Sequence, residues 1–157
     1  MILINDACID LIKKFEGLEL KAYFGKADKP GIYTIGYGTI QYPPFYMGGK
    51  MVALEDPTIT AEIATSFLMW EVQLKSQGLD PLLRDDLSPN QFAALISFAY
   101  NLGTYAFKGS TLRLKVNSNP HDPTIRNEFE KWVHANGKRV QGLVNRRKME
   151  ADLYFTV

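Results

Sequence analysis

The spacing of apolar side chains predicts a short helix near the start of the chain. Asn5 is a favourable N-cap residue and Gly17 a favourable residue just after a helix, so the helix is predicted between them. Apolar residues in this interval recur at i, i+3, i+4 and i+7, the period of one helix face. They are Cys8, Leu11, Ile12 and Phe15.

Extended chain is predicted next. Residues 20–24 and 32–38 are rich in aromatic and β-branched residues, which favour strands, and a connection containing Gly, Pro and Asp separates them. Residues 39–57 are expected to continue as turns and short extended pieces, because Pro43 and Pro44 exclude a helix there.

The helical period returns at Thr60. A long amphipathic helix of about 17 residues is predicted between Thr60 and Gly78, since apolar residues again recur on one side. Its buried stripe is expected to consist of Ile63, Phe67, Trp70 and Leu74.

The clearest helix signal follows Ser88. Ser88 is a good N-cap, Pro89 suits the first helical position and Gln91 completes a capping box. Two or three further helices are predicted after this one, one opened by Asp122-Pro123 and one over about 142–153. The buried stripe of the capped helix is expected to be Phe92, Leu95, Ile96 and Ala99.

The order of these elements predicts an α+β protein. We expect one domain over residues 1–157, with a small β lobe at about 18–58, an inter-lobe helix at about 60–77 and a larger helical lobe at about 80–157. A cleft between two lobes is a natural ligand site, and we expect the functional residues there.

Composition limits the class of protein further. The single cysteine, Cys8, leaves packing rather than disulfides to hold the fold. No apolar run approaches the roughly 18 residues that span a bilayer. The N-terminal sequence lacks a basic segment followed by a clean apolar one, so we expect no signal peptide.

Charge is unevenly distributed although the net charge is only +1. Residues 108–148 contain ten Lys or Arg and three Asp or Glu. Such a segment could face nucleic acid, a membrane surface or an anionic cell wall, or form an ordinary solvated helix surface. Charge alone does not choose among these.

Glu16 is the candidate for acid chemistry. It lies at the predicted C-terminal end of the first helix, where the helix dipole disfavours an anion, and it follows Phe15 at the start of an apolar region. Both effects are expected to raise its pKa, as a general acid near neutral pH requires. The alternative is a surface glutamate at a frayed helix end.

Several segments together resemble the phage-type lysozymes, or endolysins, of glycoside hydrolase family 24. They match the family in order along nearly the whole chain. The segments are Glu16-Gly17, Tyr23, Thr34-Ile35-Gly36-Tyr37-Gly38, residues 90–103, residues 109–112 and residues 142–154.

The resemblance implies a lysozyme-like fold that cuts the β-1,4 bond between N-acetylmuramic acid and N-acetylglucosamine of peptidoglycan. It implies that Glu16 is the general acid and that Thr34 helps hold the attacking water on the opposite face of the sugar. Two carboxylates far enough apart to admit that water give inversion of the anomeric centre. The candidate substrate-binding residues are Gly36, Gly38, Ile40, Tyr100, Asn101 and Thr111. The alternative for the two glycines is a plain turn role, and the alternative for Tyr100 is the core.

The chain departs from the family at one catalytic position. Two residues after the strand tyrosine the family has Asp, or in some members Cys, and this chain has Gly25. Asp28 follows in a turn with Pro30 and Gly31 and is our candidate substitute; the alternative is an ordinary solvent-exposed turn residue. Gly25 therefore leaves open a lysozyme-like module that binds glycan and turns it over weakly or not at all.

Aromatic and histidine residues supply weaker candidates. Tyr42, Phe45 and Tyr46 could stack on sugar faces or simply pack the loop, whereas Trp70 and Trp132 are expected to be core residues. The remaining expectations concern metals and histidines: His121 and His134 have no ligand partners at metal-binding spacing, so neither a metal nor a cofactor is expected.

Partners and location follow from the resemblance. We expect a monomer that binds peptidoglycan strands, with neither nucleic acid nor stable membrane insertion. Besides the muramidase and the glycan-binding module, a third hypothesis is a nucleic-acid binder that uses the basic segment. No recognised motif supports it. Without a signal peptide the protein would be made in the host cytoplasm and act at the cell wall or periplasm after release.

Overall fold

A computed structural model describes residues 4–25 and 31–157 of the chain. The described residues form two units, one over Ile12–Gln73 and one that joins the residues up to Leu11 with Leu74–Val157. The predicted α+β class is confirmed, since helices alternate with two small antiparallel sheets. The helices are α1 Asp6–Glu16, α2 Ala61–Leu79, α3 Pro89–Leu102, α4 Thr104–Lys108, α5 Thr111–Ser118, α6 Ile125–Glu130 and α7 Gln141–Tyr154. The strands are β1 Glu19–Phe24, β2 Tyr33–Gly36, β3 His134–Ala135 and β4 Lys138–Arg139.

Helix α1 begins and ends where the sequence predicts. Asn5 caps it, because the Asn5 Oδ1 atom accepts a hydrogen bond from the Cys8 N–H at 3.0 Å. Cys8 and Ile12 are fully buried on its apolar face. The helix ends at Glu16, which leaves this carboxylate on the last turn.

Strands β1 and β2 pair in an irregular register. Glu19 lies opposite Gly36 and Tyr23 opposite Thr34. Between these two pairs β1 therefore advances four residues while β2 advances two. The irregularity between Glu19 and Tyr23 is a bulge of the kind that re-aims side chains beside functional sites. It determines which β1 side chains share a face with Thr34.

The loop after β2 is held by a buried carboxylate. Asp56 accepts hydrogen bonds from the Tyr42 hydroxyl at 3.0 Å, from Lys50 Nζ at 2.6 Å and from the Ala53 N–H at 2.8 Å. Tyr42 is therefore a packing residue at 1% exposure, whereas Phe45 is 63% exposed. The stacking interpretation is wrong for Tyr42. As predicted, no helix includes Pro43 or Pro44.

Helix α2 buries a different stripe from the one predicted. Leu74 is 47% exposed, and Ile63 and Trp70 are only partly buried. Apolar residues lie on more than one side of this helix, so the 3.6-residue period alone fits several stripes. The hydrophobic residues buried along it are Ala64, Phe67, Leu68, Val72 and Leu79.

Helix α3 forms the centre of the second unit. The predicted capping box is present: the Gln91 N–H donates to Ser88 Oγ at 3.1 Å, and the Ser88 N–H donates to Gln91 Oε1 at 2.9 Å. Every residue from Gln91 to Ala99 is buried, so α3 is enclosed on all sides rather than along the predicted stripe. Trp132 is half-buried, with its ring 5.5 Å from that of Phe98.

Four helices rather than two or three follow α3, together with a hairpin that the sequence prediction omits. The first residue of α6 is Ile125, two residues beyond Pro123, and α7 closes the chain as predicted. Strands β3 and β4 are joined by Asn136 and Gly137, with φ of +52° and +75°. Asn-Gly is the preferred pair for such a two-residue turn. Within the described ranges, no helix is both long and apolar enough to cross a membrane.

Candidate active site

Glu16 lies at the C-terminal end of α1 with its side chain half-buried. The backbone of Gly38 passes beside its carboxylate. A Cβ atom at Gly38 would lie 3.1 Å from Glu16 Oε2, and Gly38 has a φ of +90°, which residues with side chains rarely adopt. The acid predicted from the sequence thus stands against a backbone segment that suits only glycine.

Thr34 and Tyr23 face one another across the β1–β2 sheet. Opposite residues of an antiparallel pair project to the same side of the sheet. The Thr34 side chain is hydrogen-bonded to the Tyr23 phenol. Thr34 is 8% exposed and Tyr23 is 40% exposed, so the phenol is the more open of the two groups.

Tyr23 links the two predicted catalytic residues electrostatically. Its pKa is raised by burial first, then by the carboxylates of Glu19 and Glu16, while the hydrogen bond with Thr34 lowers it. The net direction is upward. Sequence reasoning used Tyr23 only as a landmark of the motif. The missed signal was its position on a strand two residues before Gly25, which puts both on the same face.

Gly25 lies directly beside the Thr34 hydroxyl. Its N–H donates to the Ile32 carbonyl at 3.1 Å, which extends the strand pairing by one step. A Cβ atom at Gly25 would lie 2.9 Å from Thr34 Oγ1 and 3.1 Å from the Ile32 oxygen. Asp28, the predicted substitute, lies outside the described residues.

Two other predicted substrate-binding residues of this unit, Gly36 and Ile40, differ in their exposure to solvent. Gly36 is buried, and a Cβ atom there would lie 3.3 Å from the Cβ of Ala64 on α2. Gly36 thus lets the backbone pass close to Ala64, and Gly38 lets it pass close to Glu16. Ile40 is 43% exposed and available to a ligand.

The predicted residues of the second unit lie on α3 and α5. The Oδ1 atom of Asn101 accepts a hydrogen bond from Arg147, which is itself paired with Glu150 at 2.6 Å. This bond fixes the amide and makes its NH₂ group the part suited to a ligand carbonyl. Tyr100 is half-buried, and Thr111 is exposed as the first residue of α5.

Most cations of the basic segment, residues 108–148, form ion pairs. Arg146 and Arg147 are core residues that pair with Glu150, and Glu150 lies just beyond the segment. The other paired cations stay at least partly exposed, so the ion pairs reduce the segment's surface charge without removing these cations from the surface. Six of its ten cations form ion pairs: Lys115, Arg126, Lys131, Arg146, Arg147 and Lys148.

A metal centre has no support in the described part of the chain. Residues 4–25 and 31–157 hold no group of three or more His, Cys, Asp or Glu side chains arranged for a metal ion.

Comparison with known proteins completes this picture. A family model described as Phage lysozyme matches residues 13–150. The chain belongs to the phage lysozyme family. The endolysin of Bacillus phage B103 is 40% identical over 153 residues, which are 98% of this chain and 54% of that protein. This phage lysozyme family chain thus spans about half the length of that relative.

Solved structures agree with the family assignment. The endolysin from Escherichia coli O157:H7 phage FAHEc1 is 36% identical with a TM-score of 0.82, covering 98% of this chain and 93% of that one. The muramidase domain of SpmX from Asticaccaulis excentricus is 30% identical with a TM-score of 0.79, covering 100% of both chains. The lysozyme-like fold predicted from the sequence is confirmed.

Proposed function

We propose that this phage lysozyme family protein hydrolyses the β-1,4 bond between N-acetylmuramic acid and N-acetylglucosamine in peptidoglycan. One observation carries the proposal: the segment that matches the family holds both a half-buried Glu16 carboxylate against the Gly38 backbone and a nearly buried Thr34 opposite Tyr23. Inverting glycoside hydrolysis requires a carboxyl group that protonates the leaving oxygen and a second group that holds a water on the opposite face of the sugar. The relatives' names, endolysin and muramidase domain, support the same chemistry.

In the proposed reaction Glu16 donates its proton to the glycosidic oxygen as the bond from that oxygen to the anomeric carbon breaks. A water held by Thr34 forms the new bond to the anomeric carbon on the opposite face, which inverts the configuration. The water loses one proton, and Glu16 regains one from solvent. The net change is the addition of one water across the bond.

Asp28 is our candidate acceptor for the proton that the water loses. The proposal rests on the chemistry of its carboxylate and on its place three residues after Gly25. Asp28→Asn is expected to lower kcat by about 10²-fold or more, the usual contribution of a general base. An unchanged kcat assigns the proton to solvent and removes Asp28 from the site.

Substrate binding is proposed for six residues. Gly38 shapes the backbone beside Glu16 and Gly36 the backbone beside Ala64, Ile40 offers an exposed apolar surface, and Asn101 offers its amide NH₂ group. Tyr100 and Thr111 complete the proposed set. We further propose that the protein acts as a monomer at the cell wall or periplasm, after release from the cytoplasm in which it is made.

Product analysis on purified peptidoglycan tests the proposed bond and the class of reaction. The expected products carry a reducing N-acetylmuramic acid end, seen by mass spectrometry after borohydride reduction. Early NMR spectra should show the α anomer, since a β bond is inverted. Reducing N-acetylglucosamine ends contradict the bond assignment, and 1,6-anhydro ends contradict hydrolysis. Binding without any cleavage supports the glycan-binding alternative instead.

A further inference from the structure

Three residues share one face of the β1–β2 sheet. Tyr23 and Thr34 are direct partners in the register, and Gly25 lies two residues beyond Tyr23 along the same strand line. Side chains at i and i+2 of a strand project to the same face. Tyr23 therefore lies directly opposite Thr34, and the position where a residue-25 side chain would begin lies diagonally opposite it, 2.9 Å from Thr34 Oγ1.

The Thr34 hydroxyl needs an external group to fix its direction. A threonine hydroxyl has one hydrogen and two lone pairs, and the hydrogen turns freely about the C–O bond. In this chain the hydroxyl is hydrogen-bonded to Tyr23 and is nearly buried, at 8% exposure for the residue. With its hydrogen on the Tyr23 oxygen, the hydroxyl keeps its lone pairs for a second partner, and the absent side chain of Gly25 leaves space for one beside Oγ1.

We propose, on the basis of the muramidase function above, that Tyr23 is a positioning residue for Thr34. The Thr34 hydroxyl donates to the phenolic oxygen of Tyr23, and its lone pairs accept hydrogens from the attacking water beside Gly25. The water is thus oriented by a Tyr–Thr pair, and the absence of a side chain at Gly25 leaves room for it.

Gly25 has a defined role in this arrangement. A Cβ atom at residue 25 would lie 2.9 Å from Thr34 Oγ1, closer than such atoms approach in folded proteins. Any side chain there must turn the Thr34 hydroxyl away or take the place of the water. Gly25→Asp is therefore expected to lower the activity of this chain, although the family resemblance alone suggests that it would restore a lost group.

Kinetic analysis of a double-mutant cycle tests whether Tyr23 acts through Thr34. Tyr23→Phe is expected to lower kcat about tenfold, the size of one hydrogen bond, with KM and the melting temperature unchanged. Thr34→Val is expected to lower kcat further, and the double variant should be no slower than Thr34→Val alone. Losses that multiply in the double variant, or an unchanged kcat in Tyr23→Phe, overturn the proposal. Tyr33→Phe, on the adjacent strand position, is the matched control and should retain full activity.

Substitutions at residue 25 supply a second test, because the positioning proposal and a lost catalytic group at Gly25 predict opposite changes in kcat. Gly25→Ala and Gly25→Asp are each expected to lower kcat by at least tenfold, and the melting temperature shows whether the fold is kept. A kcat that rises in Gly25→Asp overturns the proposal and shows that the glycine is a lost catalytic position.

Titration of Tyr23 tests the contact without using activity. Because the Thr34 hydrogen bond lowers the Tyr23 pKa and the Glu16 charge raises it, Thr34→Val should raise this pKa and Glu16→Gln should lower it. Tyrosine labelled with ¹³C at Cζ reports both shifts by NMR. An unmoved Tyr23 pKa in Thr34→Val overturns the positioning role. A wild-type protein that cleaves no peptidoglycan contradicts the proposed function instead, so the two failures are distinct.

Discussion

The Glu16 carboxylate and the backbone of Gly38 are in such close contact that a single added carbon would disturb them. A Cβ atom at Gly38 would lie 3.1 Å from Glu16 Oε2. Gly38→Ala is therefore expected to push the carboxylate aside and to lower kcat by about 10²-fold, as misplacement of a catalytic group by about 1 Å does. Steady-state kinetics on purified peptidoglycan measure the loss.

Gly137→Ala is the matched control for this prediction. Gly137 also has a positive φ, +75°, but no atom lies within 4 Å of a Cβ atom there. Both variants should lose about 1 kcal/mol of unfolding free energy from backbone strain, while only Gly38→Ala loses activity. Equal kcat values for the two variants contradict the proposed contact with Glu16.

The Asp56 carboxylate should make the stability of its loop depend on pH. Burial raises its pKa, but hydrogen bonds from Lys50, Ala53 and Tyr42 outweigh burial and hold the pKa below its ordinary value. This contribution is present above the unfolded-state pKa of about 3.9 and is lost as the pH falls through the folded-state pKa. Asp56→Asn should cost about 1–3 kcal/mol of unfolding free energy at pH 7, and the difference from wild type should shrink below about pH 4.

Urea unfolding between pH 3 and pH 7 checks the Asp56 prediction. Glu55→Gln is the control, because Glu55 is the exposed carboxylate beside Asp56 in the chain. Its difference from wild type should stay near zero at every pH. A difference for Asp56→Asn that is independent of pH would mean that its charge contributes nothing to the fold.

The ion pair between Arg147 and Glu150 should be costly to break from one side. Both side chains are fully buried, and the Ser97 hydroxyl also donates to Glu150 at 2.6 Å. Glu150→Ala leaves a buried guanidinium without its partner, so a loss of about 3–5 kcal/mol of unfolding free energy is expected. Asp152→Ala, on the same helix but exposed, should cost less than about 1 kcal/mol. Similar losses for both variants in urea unfolding would contradict the buried network.

Attraction to the anionic wall should depend on cations that lie outside the ion pairs. Lys138 and Arg139 lie exposed on β4. Their combined reversal to Glu is expected to weaken sedimentation with cell walls and to leave cleavage of short neutral fragments unchanged. Equal loss of both properties would refute the attraction hypothesis.

Lys115 is expected to behave differently from the hairpin cations. It pairs with the buried carboxylate of Glu128 at 3.1 Å, so Lys115→Glu brings two negative charges together. A lower unfolding free energy is the expected result, measured by urea unfolding. Unchanged stability would show that the pair contributes nothing.

The parts of the fold that were predicted best are those that depend on residues close together in the sequence. Asn5 and Ser88 cap α1 and α3 through hydrogen bonds to residues three positions away. A few consecutive residues are therefore enough to predict both caps. The Asn-Gly turn of the β3–β4 hairpin was equally local, and its omission was an oversight of a strong signal.

Features that depend on distant contacts were not accessible in this way. The stripe of α2 depends on what packs around the helix, and Leu74 is exposed although the period allows its burial. A count of charged residues treats Arg146 and Arg147 as surface charges. In the structure both are buried and pair with the buried Glu150. The contact between Tyr23 and Thr34 depends on a bulge in β1 that residue patterns do not reveal.

Replacement of one carboxylate tests the central claim most directly. Release of reducing ends from purified peptidoglycan is compared for the wild type, Glu16→Gln and the exposed-carboxylate control Glu55→Gln. The account predicts a kcat at least about 10²-fold lower in Glu16→Gln, with peptidoglycan binding kept, and a wild-type rate in Glu55→Gln. A Glu16→Gln protein that releases reducing ends at the wild-type rate would contradict it.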